Sequence, residues 1–388
     1  MATALSTVDI LGKLVAFDTT SRNSNLPLLD WVEDYLAGFG ISGERVYDET
    51  GQKANLWVTI GPKDVAGYVL SGHVDVVPVD GQDWSTDPFT LVEKDGRYFG
   101  RGTCDMKGFV ASALAAVPAM AAAPLKKPIH LAISYDEEVG CRGVRTLLAV
   151  LKDRPLKPEA CFVGEPTNMQ VVIAHKTGRP MRVTVRGLEA HSSLRPHGVN
   201  AIEEAAKLIV KINEIGQRLA ARTDLDPLYS VPVSTTSVGV IRGGTVRNIV
   251  AGECVVDFDL RCVAGDDPHA IVAEIEAYAY EVLQPPMKAI APEAGFTFQE
   301  LALVPGLDTA ADAPVTVLAK RLAGRNDHAK VAYGTEAGLF QQIGIPSAIV
   351  GPGSIEQAHK PDEYVEAVEL AKADAFMERL IAHAGGGN

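Results

Sequence analysis

The 388-residue sequence lacks the features that would send it out of the cell, into a membrane or onto nucleic acid. Its five cysteines are odd in number and show no CxxC spacing, so reduced thiols fit better than a disulfide framework. The first residues, MATALSTVDI, carry neither the basic start nor the apolar core of a signal peptide. The longest uncharged run, 108–125, is Ala-rich and broken by Pro118 and Pro124. It falls short of the roughly 20 strongly apolar residues of a spanning helix and reads as a buried one. Positive charge is in deficit too: 36 Lys and Arg against 49 Asp and Glu leave −13, a surface that repels DNA and anionic membranes. The expectation is a cytoplasmic protein with neither a nucleic-acid nor a membrane partner.

What is present is ordinary globular composition, 47% hydrophobic and 22% charged, on a chain long enough for two domains. Residues 5–38 read as helical. Apolar strand-like runs follow at 68–70, 130–134, 161–163 and 171–174, with the Ala-rich helix between the first two. This alternation predicts an α/β domain with a mostly parallel sheet covered on both faces. After Gly178 the texture changes. MRVTVRG alternates, 200–221 is a charged amphipathic helix, and TTSVGVIRGG and ECVVDFDLRCV read as antiparallel strands. A helix at 268–284 and FTFQELALV complete a β-α-β-β-α-β order, that of a ferredoxin-like α+β unit. The α/β texture returns from about Asp308, with helices expected at 314–323 and 363–384. The expected organisation is one α/β domain, 1–178 and 304–388, interrupted by an insert at 179–303.

Chemistry-bearing residues follow the apolar strands. His73 and Asp75 come after GYVLSG, Asp105 after RYFGRG, and Asp136, Glu137 and Glu138 after HLAISY. Glu165 follows CFVG, and His359 follows PSAIVGPG. Ligands of open α/β sheets bind outside the carboxyl ends of the strands, so these side chains should converge. One His or acid after a strand is usually a cap or a surface charge; five such coincidences on five segments are harder to dismiss. Two imidazoles with several carboxylates and no thiolate suit zinc, cobalt or manganese. Asp75 is spaced to fix the tautomer of His73, and Glu137 beside Glu138 offers one carboxylate for metal and one for a proton. Cys104 beside Asp105 invites a nucleophile reading, but a small buried filler fits better, and the lone GRG at 100–102 is too weak for a phosphate loop.

SGHVDVVP, GRGTCDMKG, YDEEVG, FVGEPT, EAHSS and GPGSIEQAHKPDEYVE together resemble the dizinc aminoacylase and carboxypeptidase-like deacylases over nearly the whole chain. The resemblance implies a zinc-exopeptidase-like catalytic domain with an inserted lid and dimerisation domain. It implies two divalent cations, zinc or else cobalt or manganese: His73 and Glu165 on one, Glu138 and His359 on the other, Asp105 bridging. Asp75 would orient His73, Glu137 would be the general base, and His191 would reach across a homodimer to the partner's oxyanion. Arg261 and Asn248 resemble carboxylate-holding residues, while Gly334, Thr335 and Gly353 resemble loops offering backbone groups to substrate. GTEAGLF at 334–340 tilts the expected substrate towards N2-acetyl-L-ornithine; desuccinylases of succinyl-diaminopimelate carry a Ser-Asp version there. The rivals are the same chemistry on another N-acyl amino acid or a dipeptide, and a binding protein that has lost catalysis.

Overall fold

A computed structural model describes residues 3–387. The chain divides into two compact units: one runs to Ala174 and takes in Leu307–Lys330 and the chain from Thr335 on, the other holds His175–Gly306 and Val331–Gly334.

The first unit is built on a mixed sheet. Its centre is parallel: Ile129–Ser134, Tyr68–His73, Ala160–Val163 and Ser347–Ile349 lie side by side in that order. Antiparallel strands Ala54–Ile60 and Gly43–Tyr47 extend one side, and Val172–His175 pairs antiparallel on the other. The central strands are buried nearly throughout, as strands covered on both faces must be. Against them packs the apolar segment after Lys107, as helices Gly108–Ala115 and Val117–Ala122. A stretch there is long and apolar enough for a membrane span, but 72% of it is buried inside the protein, which marks a core helix. Phe162 meets Phe376 of the last helix edge to face at 5.4 Å, joining the sheet to the C-terminal segment.

Two sequence expectations change. Residues 5–38 form two helices, Thr7–Val15 and Leu26–Ala37. The first starts in a capping box between Ser6 and Asp9, and the second has Pro27 in its first turn. Between them a polar run favours side-chain-to-backbone bonds over helix, as when the Asp18 carboxylate accepts from the Thr20 backbone and hydroxyl. The final helix starts at Ala367 rather than 363, because Tyr364–Glu366 pairs as a strand with Arg97–Phe99.

The second unit is a β-α-β-β-α-β sandwich. Its four main strands are ordered Thr235–Gly243, Glu253–Cys262, Met181–Arg186, Gly295–Glu300, each antiparallel to its neighbour. Glu253–Cys262 alternates between buried and partly exposed residues. Helix Ala201–Ala220, capped by the Asn200 side chain, turns Leu208, Ile212 and Ile215 onto the buried face.

One close approach fixes where the first unit's rim begins. A Cβ on Gly164 would sit 1.9 Å from the Phe109 ring, so strand and helix touch without a side chain between them. Gly164→Ala should overpack this contact and cost about 1–3 kcal/mol. A urea-unfolding midpoint equal to that of the unsubstituted protein would contradict this packing account.

Candidate metal centre

The carboxyl end of the parallel sheet gathers the rim residues. His73 ends its strand, Glu137 and Glu138 follow Ser134 closely, and Glu165 comes two residues after Val163. Asp105 arrives on the turn Thr103–Lys107, and His359 sits at φ 64° in the loop after Ser347–Ile349. The His73 Nε2 lies 3.0 Å from Asp105 Oδ1 and 3.8 Å from Glu165 Oε1. On the other side of the same carboxylate, Asp105 Oδ2 is 3.2 Å from His359 Nε2, which is itself 3.0 Å from Glu138 Oε2. Asp105 thus spans two imidazoles, each with a second carboxylate beside it. His73 with Glu137 and Glu165, and His73 with Asp105 and Glu138, each bring ligand atoms within 4.8 Å of one another, close enough to hold a metal ion. All donors are nitrogen or oxygen, a set that fits zinc, cobalt or manganese.

Asp75 lies behind the rim. His73 Nδ1 faces the Asp75 backbone carbonyl at 3.0 Å and its carboxylate at 3.4 Å. The same carboxylate accepts from the Ser21 hydroxyl and from the backbone N–H groups of Glu137 and Glu138. One buried Asp therefore orients the imidazole and holds the turn that carries both glutamates.

The electrostatics are those of too many carboxylates in too little water. Burial, reinforced by Glu138 and Asp105, pushes Glu137 up to about 8; burial and Asp105 push Glu138 up to about 7. Glu165 is raised for the same reasons. His359 is pushed up to about 10 by its bonds to Asp105 and Glu138. Burial opposes charge on His73, but its bonds to Asp105 and Asp75 outweigh that and raise it. Asp105 is held below its usual range by the two imidazoles despite burial. Without cations the rim must borrow protons, and divalent charge would replace them.

The remaining residues divide between the units. Thr335 is buried in the first, its hydroxyl accepting from the Ala337 N–H. Gly353, at φ 82°, lies against Cys104, where a Cβ would come within 2.7 Å of the sulfur. Cys104 is buried and its thiol raised well above the usual range, first by burial, which removes it as a nucleophile. In the second unit His191 is exposed, its Nδ1 2.8 Å from the Ser193 hydroxyl, and Ser192 donates to the Asn248 carbonyl at 3.0 Å. Arg261 pairs with Asp259 at 2.7 Å, and its guanidinium lies beside Gly334.

Three buried groups went unread in the sequence. Glu336, raised by burial to about 7, lies 3.5 Å from the Ser71 hydroxyl and leaves one oxygen unpartnered. Arg101 and Glu363 form a fully buried pair, 2.7 Å apart. Their signals were the arginine between two glycines and the acid four residues after His359, neither of which has a periodicity to mark it.

With this geometry in view, the model of Peptidase family M20/M25/M40 matches residues 69–383, and the chain belongs to that family. The fold and the His-carboxylate rim define a metal-dependent hydrolase. A protein named acetylornithine deacetylase from Myxococcus xanthus is 35% identical over 97% of each chain. One of the same name from Proteus mirabilis is 32% identical over 94% of this chain and 92% of that one. Among solved structures, an M20 family metallo-carboxypeptidase from Sulfolobus solfataricus superposes with a TM-score of 0.74 at 17% identity, covering 98% of this chain and 99% of that one. A tripeptidase from Staphylococcus aureus gives 0.73 at 21% identity over the whole of both chains. At these identities the structural likeness concerns the fold.

The raised groups set the pH behaviour of protein stripped of divalent cations. Glu137 and Glu138 keep protons in the folded state that the unfolded chain loses above about 4.5, so stability falls as pH rises towards about 8. His359 acts in the same direction, its contribution full below 6.5 and lost as pH rises through about 10. The thermal midpoint of chelator-treated protein should therefore fall between pH 5 and 9, and a saturating divalent cation should flatten that slope. A midpoint that rises with pH in the stripped protein would contradict the crowding.

Proposed function

We propose that this protein removes the acetyl group from N2-acetyl-L-ornithine, releasing L-ornithine and acetate, as an arginine-biosynthetic enzyme of the cytoplasm. The observation that carries the reading is the Asp105 carboxylate set between two His-carboxylate pairs, with the Glu137 carboxylate close beside His73 and Glu165. The names of the relatives support the substrate. Five free, buried cysteines suit a reducing compartment.

His73 and Glu165 would hold one cation, Glu138 and His359 the other, and Asp105 both; zinc suits the set, with cobalt or manganese as substitutes. Bound cations would polarise the amide carbonyl and make water more acidic. Glu137 takes the proton from the attacking water. As the C–N bond breaks it delivers that proton to the leaving amine, so one carboxylate is base first and acid second. Asp75 keeps His73 in the tautomer that presents Nε2 to the rim. His191 is the oxyanion donor, supplied by the partner in a homodimer made through the second unit as a lid. Asn248 and Arg261 hold the substrate's carboxylate, and the loops at Gly334, Thr335 and Gly353 offer it backbone groups.

Rates on acetylornithine, acetylmethionine and succinyl-diaminopimelate, measured side by side, test the substrate. Acetylornithine should give the highest kcat/KM, and preference for either of the others would overturn the choice. Glu137→Ala should keep the fold and both cations while losing about 10²–10⁴ in rate; cation loss in that variant would show that Glu137 and Glu138 had been exchanged. Two inactive variants, Glu137→Ala and His191→Ala, should regain activity when mixed as heterodimers. No recovery despite verified subunit exchange would mean that His191 does not act across a dimer.

A further inference from the structure

We infer that Glu363 is a positioning residue for the metal rim: it locks the Asp105 turn and the His359 loop into one register, and the ligand geometry depends on that lock. The inference rests on the reading of Asp105 and His359 as metal ligands given above.

Glu363 is 1% exposed and accepts four hydrogen bonds. Its Oε1 takes the backbone N–H groups of Cys104 at 2.9 Å and Asp105 at 3.1 Å. Its Oε2 takes the Gly102 N–H at 3.1 Å and the Arg101 guanidinium at 2.7 Å. Three of these donors are backbone groups on, or just before, the turn that delivers Asp105, and one is the N–H of Asp105 itself. The backbone joins in, since the Gly100 N–H donates to the Glu363 carbonyl at 2.9 Å.

The other end of the lock reaches His359. Glu363 lies only four residues beyond it, and Arg101 donates to the intervening Lys360 carbonyl at 3.3 Å. Arg101 also donates to the Gln82 side-chain carbonyl, and the amide of Gln82 donates to the His359 backbone carbonyl at 3.0 Å. Trp84 supports Gln82 through its indole N–H and stacks under the guanidinium, 5.0 Å from ring centroid to Arg101 Cζ. The two rim segments, far apart in sequence, are thus tied through one carboxylate, one guanidinium and one amide.

A carboxylate is needed because all four partners are donors. Glutamine would turn an NH2 group towards either the Cys104 and Asp105 N–H pair or the Gly102 and Arg101 pair. At least two bonds would be lost and buried donors would face one another, so the turn must shift and carry the Asp105 carboxylate with it. Breaking a pair that served stability alone would lower the melting temperature and leave the rim of the folded protein unchanged.

The test compares E363Q with the unsubstituted protein and with E369Q, a control that alters another buried carboxylate, one paired with Lys372. Each folded protein is stripped of metal and titrated with Co2+, following the visible absorption bands, with affinity taken from competition against a chelator. E363Q should bind cation 10–100-fold more weakly with altered bands, the range for loss of an outer partner of a metal ligand. Its kcat should drop while KM stays close to that of the parent, and E369Q should match the parent in affinity and bands. If E363Q does not fold, Q82A decides: Gln82 is only partly buried, and its loss should still weaken binding several-fold and shift the bands. Parental affinity and spectrum in folded E363Q, or in Q82A where E363Q is unfolded, would overturn the lock. Failure of the unsubstituted protein to bind cation would instead overturn the metal-centre reading on which it rests.

Discussion

Four buried carboxylates share a rim with two imidazoles, one buried and one half-exposed, and the rest of the first unit is organised around holding them there. Left to themselves Glu137, Glu138 and Glu165 would part; burial and mutual repulsion keep them raised instead. The restraint comes from the layer beneath. Asp75 binds the backbone of the glutamate turn, Glu363 binds the backbone of the Asp105 turn, and the parallel strand Ile129–Ser134 fixes where the glutamate turn begins. A rim so charged is unfavourable for an apo protein and well suited to divalent cations, whose charge turns repulsion into coordination.

This arrangement explains why the site residues are scattered along the sequence yet regular in the fold. Each parallel strand delivers its side chains to the same edge, so adjacency across the sheet replaces adjacency along the chain. That rule is visible in the sequence: GYVLSG, HLAISY and CFVG are apolar runs ending in His or acid. His73, Glu137, Glu138 and Glu165 could be found from it. Asp105 after RYFGRG and His359 after PSAIVGPG are placed by the same rule, although Arg97–Phe99 belongs to a separate small antiparallel sheet and His359 follows a longer connection. In the second unit the period-two alternation of ECVVDFDLRCV and the helical period of 200–221 carried the sandwich in the same way.

What stayed hidden has a common physical character. Arg101, Glu336 and Glu363 are charged residues with no exposed surface, and burial of a charge depends on partners far away in sequence. No local pattern distinguishes the Glu363 that accepts four bonds from Glu366 three residues later, whose side chain is 45% exposed. The break between the first two helices was missed for a related reason, since its polar residues satisfy a loop only through specific bonds such as Thr20 to Asp18. Tyr364–Glu366 reads as helix until its partner strand Arg97–Phe99 is known.

The central claim is that the rim is a two-cation centre with Asp105 between the ions. Anomalous scattering from crystals grown with zinc measures it directly. The account predicts two peaks, one about 2.0–2.2 Å from His73 and Glu165 and the other at that distance from Glu138 and His359, with an Asp105 oxygen on each. A single peak, or zinc held by residues away from this rim, would contradict it.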